Sequence, residues 1–350
     1  MKIKFSGILV LFIHIISLVW ICWGTAACAS EIDSYTKTRL IRKDAVAFIN
    51  HEINRLINAS VREANERGLS DAEDLYRILN KNLGGRIISQ LEKNLEQHND
   101  EQILKIDIRE SIYNGMGFLQ APSLILSRKM GGVFKADDFI IGTDKLGHFI
   151  AQGFTYFKTC YLKNYGVEDA LLYGINSEMT YYGFTTTGIF SYGDLVANFQ
   201  GMRFWNDLLG EFPDILNEDH PPYIQRKGDQ WVVAFPVDMR RYFDAAWDER
   251  INRNVFSDPE LEDCIGSRIN QAKGSARFPD PEKAKQTLEL LNKKYKAYSA
   301  YLLNLDNFSR HRIKYMKSLL KTSIQVSRHK KTWSSGTHTA LILLGMEDYL

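Results

Sequence analysis

Between Thr143 and Trp205 three short polar signatures interrupt sequence that is otherwise apolar and aromatic, and any fold of this chain must find a place for them. They read Thr143-Asp144-Lys145-Leu146-Gly147-His148-Phe149, then Glu178 with Tyr181-Tyr182-Gly183, then Ser191-Tyr192-Gly193-Asp194-Leu195-Val196-Ala197-Asn198, followed by Gly201. The pattern predicts three helices, over 143–164, 167–183 and 192–210. Asp144 and His148 are four residues apart and share a helix face, and Asp194 and Asn198 repeat that spacing. Glu178 falls late in the second helix, with Tyr182 one turn beyond it. Gly147, Gly153, Gly174, Gly193 and Gly201 allow these helices to approach closely. Three carboxylates, an imidazole and a carboxamide are therefore expected around one pocket.

Part of this pattern has a purely local explanation. Thr143 is a natural N-cap, with Asp144 favoured in the first turn by the helix dipole. Ser191 to Asp194 fits a capping box, in which the acid three residues on reaches back to the N-cap amide. His148, Glu178 and Asn198 have no such account. Each falls inside an apolar helix, where a polar side chain needs a partner.

Two chemistries suit the set. Asp144, His148 and Glu178 (or Asp194) could hold a divalent metal, with water completing the shell. Alternatively His148 works as general acid/base with Glu178 and Asp194 as its catalytic partners. In either case Asn198 and Tyr182 are placed to contact substrate. No HExxH, CxxC, GxSxG or Walker-type motif is present.

The N-terminus predicts export. Lys2 and Lys4 precede an apolar run from Phe5 to Trp23, and small residues follow, with Ala27-Cys28-Ala29 usable as a cleavage site before Ser30. Residues 1–29 read as a signal peptide; a retained anchor and lipidation of Cys28 are the alternatives, since roughly 20 apolar residues span a bilayer. All three make the remainder extracytoplasmic. Lys and Arg number 44 against 42 acids, and without Lys2 and Lys4 the balance is 42 to 42. A neutral mature chain argues against a general nucleic-acid partner. Outside the leader only Cys160 and Cys264 remain; an oxidising compartment would let them pair, and two buried thiols is the other reading.

Elsewhere the periodicity predicts a mainly α-helical protein with one small β-hairpin. Residues 36–67 read as an amphipathic helix, Ser70 to Glu73 as a capping box opening a second, and Ile103–Tyr113 as a further helix. Asn114 to Gly132 reads either as a buried loop or short helix of the core, or as an apolar lip touching lipid. Tyr223 to Phe235 reads as two strands about a Lys-Gly-Asp turn. Met239–Arg250 reads as helix, and Pro279 and Pro281 open another. The stretch 310–331 is basic without an acid, which fits either a solvated helix face or an amphipathic helix on an anionic membrane surface. These elements divide the chain into 1–29 (leader), 30–132 (N-terminal helical region), 133–210 (central core) and 211–350 (hairpin and C-terminal helices packed on that core).

The series Asp144-Lys145-x-x-His148-Phe149, Glu178 and Asp194-x-x-x-Asn198-x-x-Gly201 resembles the pattern of the VanZ-like proteins. The run Phe190-Ser191-Tyr192-Gly193-Asp194 also resembles the later motif of the YfiM-type predicted envelope lipoproteins. The resemblance covers residues 143–201 and implies a bacterial envelope protein, periplasmic or membrane-associated, built on a helical core. VanZ-like proteins carry these motifs in membrane spans, and here Met179 follows Glu178 where a glutamine is frequent. Residues and resemblance together lead to the expectation of an exported envelope protein whose central pocket binds or hydrolyses a lipid-linked or cell-wall-related ligand. The alternative is a non-catalytic accessory lipoprotein in which the same residues form a buried polar network.

Overall fold

The computed structural model describes residues 31–85, 89–97, 102–180, 182–274 and 278–305. Residues 1–29, with Cys28, and the basic stretch 310–331 lie outside them. The described chain is mainly helical, with small antiparallel sheets of two or three strands. Among the described residues no helix is long and apolar enough to cross a membrane.

The centre of the molecule is the helix Tyr192–Leu209, in which every residue from Tyr192 to Leu208 is buried. A helix covered on all faces belongs at the middle of a core. A bent helix over 144–162 lies across it, with π-type turns at His148–Gln152 and Lys158–Leu162. Their crossing is set by two glycines. A Cβ added to Gly153 would sit 2.6 Å from the Gly201 Cα, and one added to Gly201 would run into the Phe149 carbonyl oxygen. The Trp205 indole then donates to the Ile150 carbonyl at 2.9 Å, which fixes the register of the two helices. Val167–Met179 packs beside this pair and brings Glu178 inward.

The N-terminal helix is Val46–Glu66, which starts ten residues later than periodicity suggests. Asp44 accounts for the delay: its carboxylate accepts from the Val46 amide at 2.8 Å while the Ala45 amide donates to the Lys135 carbonyl at 2.9 Å. The next helix, Ala72–Gly84, is capped by Asp71 instead of Ser70, and stops at the expected Gly84-Gly85 pair. Ile103–Tyr113 is not helical. Ile103 and Leu104 instead pair with Phe134 and Val133, at the edge of a hairpin formed by Val133–Ala136 and Phe139–Gly142. Long-range ladder bonds outweigh the local preference there. Met239–Arg250 is likewise not a helix but two single turns, because Asp238, Asp244 and Asp248 each accept the amide two residues on and restart the chain.

The expected hairpin forms between Ile224–Lys227 and Gln230–Val233, with Gly228 at φ 61° in its turn. Pro259–Ala272, with Asp258 as N-cap and proline in the first turn, is a helix that periodicity alone did not reveal. Pro281–Tyr295 forms as expected. Cys160 is buried, Cys264 is exposed and both are free thiols, so neither the bridge nor a pair of buried thiols describes them.

Gly201→Ala tests the crossing. The methyl has no room against the Phe149 carbonyl, so the helices must separate at a cost of about 1–3 kcal/mol. Chemical denaturation should show that loss.

Candidate metal centre

Three of the elements above end at one place. The first turns of the 144–162 helix carry Asp144, Lys145 and His148; the end of Val167–Met179 carries Glu178; the first turns of Tyr192–Leu209 carry Asp194 and Asn198. His148 Nδ1 lies 3.0 Å from Asn198 Oδ1, and its Nε2 lies 3.2 Å from Asp194 Oδ2. Single donor atoms from His148, Glu178 and Asp194 all lie within 4.8 Å of one another. A neutral imidazole donates from only one nitrogen. With Nδ1–H given to Asn198, Nε2 faces the Asp194 carboxylate, to which it donates when the ring is charged; a neutral ring offers a metal its Nε2 lone pair there.

The capping explanation for Asp194 holds only by half. Ser191 Oγ accepts from the Asp194 amide at 3.2 Å as a cap should. The Ser191 amide, however, donates to Glu178 Oε2 at 3.2 Å, so Glu178 takes the reciprocal role and the Asp194 carboxylate turns to His148 and Lys145. Thr143 does not cap either, since its hydroxyl donates to Glu96 Oε1. Asp144 stands outside the group of three. Its carboxylate accepts from the Lys145 amide at 2.8 Å and meets Lys145 Nζ at 3.1 Å. Tyr182 sits at the rim: its hydroxyl accepts from Gln152 Nε2 at 3.0 Å, and its ring meets the His148 ring edge-on at 6.0 Å.

Lys145 is the part of the site that motif reading left without a role. Its ammonium is buried and touches three carboxylates: Asp194 Oδ1 at 2.7 Å, Glu249 Oε1 at 2.8 Å and Asp144 Oδ2 at 3.1 Å. Burial would pull this lysine down, and the three acids more than reverse that, holding it well above its ordinary value. Glu249 arrives from the broken segment after Asp248, held by the Tyr35 hydroxyl, which donates to the Glu249 carbonyl at 2.7 Å. Its second oxygen, Oε2, has no hydrogen-bond partner among the described residues.

Glu31 and Glu92 complete the set, giving six carboxylates against Lys145 and His148. Burial and this crowding divide them. Burial pushes Glu31 up to about 8, and burial with the charge of Asp144 pushes Glu92 up to about 9. Glu249 rises to about 7 from burial, with Lys145 opposing. Glu178 is held well above the usual range by burial and by the charge of Asp194. Asp144 is raised by burial against the pull of Lys145. Asp194 is the exception: burial would raise it too, but His148 and Lys145 hold it below its ordinary value. The site is a group of buried acids, most of them raised by burial, around one aspartate that His148 and Lys145 hold below its ordinary value.

The side chains of His148, Asp144 and Asp194 keep 13%, 12% and 11% of their surface exposed, so the cluster reaches solvent on their side. Lys145 stood in the first motif and its burial in apolar sequence was a usable signal. Glu31, Glu92 and Glu249 carried none, since they come from three distant segments. No protein-family model, curated protein or solved structure matches this chain.

The raised acids predict a pH dependence. Glu31 and Glu92 start from 4.5 in the unfolded chain and sit near 8 and 9 when folded. The unfolded state therefore releases protons first, and stability falls as pH rises from about 4.5 toward 8–9. In chelator-treated buffer the melting temperature should drop across that window, and Glu92→Gln should flatten the slope.

Proposed function

We propose that this chain is an exported envelope protein whose central pocket binds a divalent cation through His148, Glu178 and Asp194, and acts hydrolytically on a lipid-linked or cell-wall-related ligand. The observation that carries the reading is the 4.8 Å convergence of an imidazole and two carboxylates inside a shell of excess acid. A bound cation would favour the ionised form of Glu178 and offset its repulsion by Asp194. Imidazole with carboxylate suits Zn²⁺ or Mn²⁺ better than Ca²⁺. Such an ion would supply a polarised water at neutral pH. Around it, Asn198 fixes the histidine tautomer, Lys145 keeps Asp194 ionised, and Tyr182 with Gln152 borders the solvent side. The resemblance of residues 143–201 to VanZ-like and YfiM-type proteins, and the leader-like N-terminus, support the envelope setting.

A second reading rests on Lys145. An ammonium met by three carboxylates is a complete structural device, and an accessory protein with a buried polar network would need nothing more.

Metal content of the purified full chain separates the two. On the first reading the protein binds Zn²⁺ or Mn²⁺ with a rise in melting temperature, and His148→Ala and Glu178→Gln abolish both effects. Absence of bound metal, with no thermal shift from Zn²⁺, Mn²⁺ or Mg²⁺, removes the metal and leaves the network.

A further inference from the structure

Three of the seven large exposed apolar side chains among the described residues fall within one short segment: Phe118 (53%), Leu119 (94%) and Leu126 (60%). The short helix expected within 114–132 forms as Pro122–Ser127 with Leu124 buried, but these three side chains do not belong to the core. The segment is anchored on its other face. Ala121 and Leu124 are buried against Leu261 and Ile265 in a core cluster of their own. The Ser123 amide donates to the Thr186 carbonyl at 2.9 Å, which ties the short helix Pro122–Ser127 to the loop that follows Glu178 and carries Tyr182. The apolar edge is thus built onto the border of the candidate metal centre.

Charge identifies what it meets. From Ser111 to Ala136 the chain has no Asp or Glu, while Arg128, Lys129 and Lys135 are present. Arg128 and Lys129 are exposed just past the helix end, and neither pairs with a carboxylate among the described residues. Arg128 and Lys129 directly follow the helix that carries Leu126. Exposed leucines and a phenylalanine in one short segment with two exposed cations match an anionic bilayer surface, with hydrocarbon below and phosphate headgroups above. The nearest acid the structure joins to the segment, Asp258, is engaged by Gln120 Nε2 at 3.3 Å.

We infer that Phe118, Leu119 and Leu126 insert into an anionic membrane surface, with Arg128 and Lys129 on the headgroups, and so hold the rim of the central site against lipid. The inference stands apart from the metal reading, because the lip needs no cation to bind.

The full chain is sedimented with vesicles of phosphatidylglycerol or of phosphatidylcholine. Binding should favour phosphatidylglycerol and weaken with salt. Leu119→Asp should lower it about tenfold, and Arg128→Glu with Lys129→Glu should erase the lipid preference. These positions are exposed, so unchanged melting temperatures confirm the fold. Because the basic stretch 310–331 also reads as a membrane-surface helix, each variant is also made with Lys314, Lys317 and Lys321 changed to Gln. In that background Phe118→Trp should show a blue-shifted emission on phosphatidylglycerol vesicles. An unshifted spectrum, or wild-type binding by Leu119→Asp, overturns the inference. Glu178→Gln and chelator should leave vesicle binding intact, which separates failure of the lip from failure of the metal site.

Discussion

One buried ammonium holds the centre of this protein together. Lys145 Nζ touches acids from its own helix, from Tyr192–Leu209 and from the segment around Glu249, so three parts of the chain meet on it. Removing a charge from water costs several kcal/mol, and the attraction of the acids returns that only when their geometry is good. Burial and crowding together raise Asp144 and Glu249, with Lys145 opposing. Asp194, which has both Lys145 and His148 beside it, is the one that burial fails to neutralise.

The crossing of two helices makes this geometry possible. At Gly153 and Gly201 the backbones touch with no side chain between them. Asn198 lies one turn before Gly201, and His148 one turn and a little before Gly153, so the contact that fixes the helices also fixes the imidazole against the carboxamide. The π-type turn beginning at His148 alters the helical register at that point, and such turns recur at functional sites. Fold and site therefore share their tightest constraint.

Much of this was legible in the sequence, and the reasons are physical. Tyr192–Leu209 was located closely because Ser191 marks its start as an N-cap, and Val167–Met179 begins where expected but ends before 183. The spacing of Asp144, His148, Asp194 and Asn198 was legible because a helix places residues four apart on one side. What escaped was decided by distant partners. Ile103 and Leu104 carry no mark of the strand they join, and the segment after Met239 looks helical until its three aspartates are recognised as successive caps. Glu31, Glu92 and Glu249 sit in unremarkable contexts and gain their character only from where the chain delivers them. The roles of Asp194 and Glu178 at Ser191 were exchanged for the same reason, since a local capping rule does not see an acid brought in by another helix.

The complete burial of Tyr192–Leu209 has a kinetic side. A helix with no exposed face cannot loosen from one edge, and its amides exchange with solvent only when much of the molecule opens. Asp194 and Asn198 are therefore as long-lived in position as the folded state itself. The cluster itself meets solvent at the exposed edges of His148, Asp144 and Asp194, so a small ion reaches it there without any opening of the core.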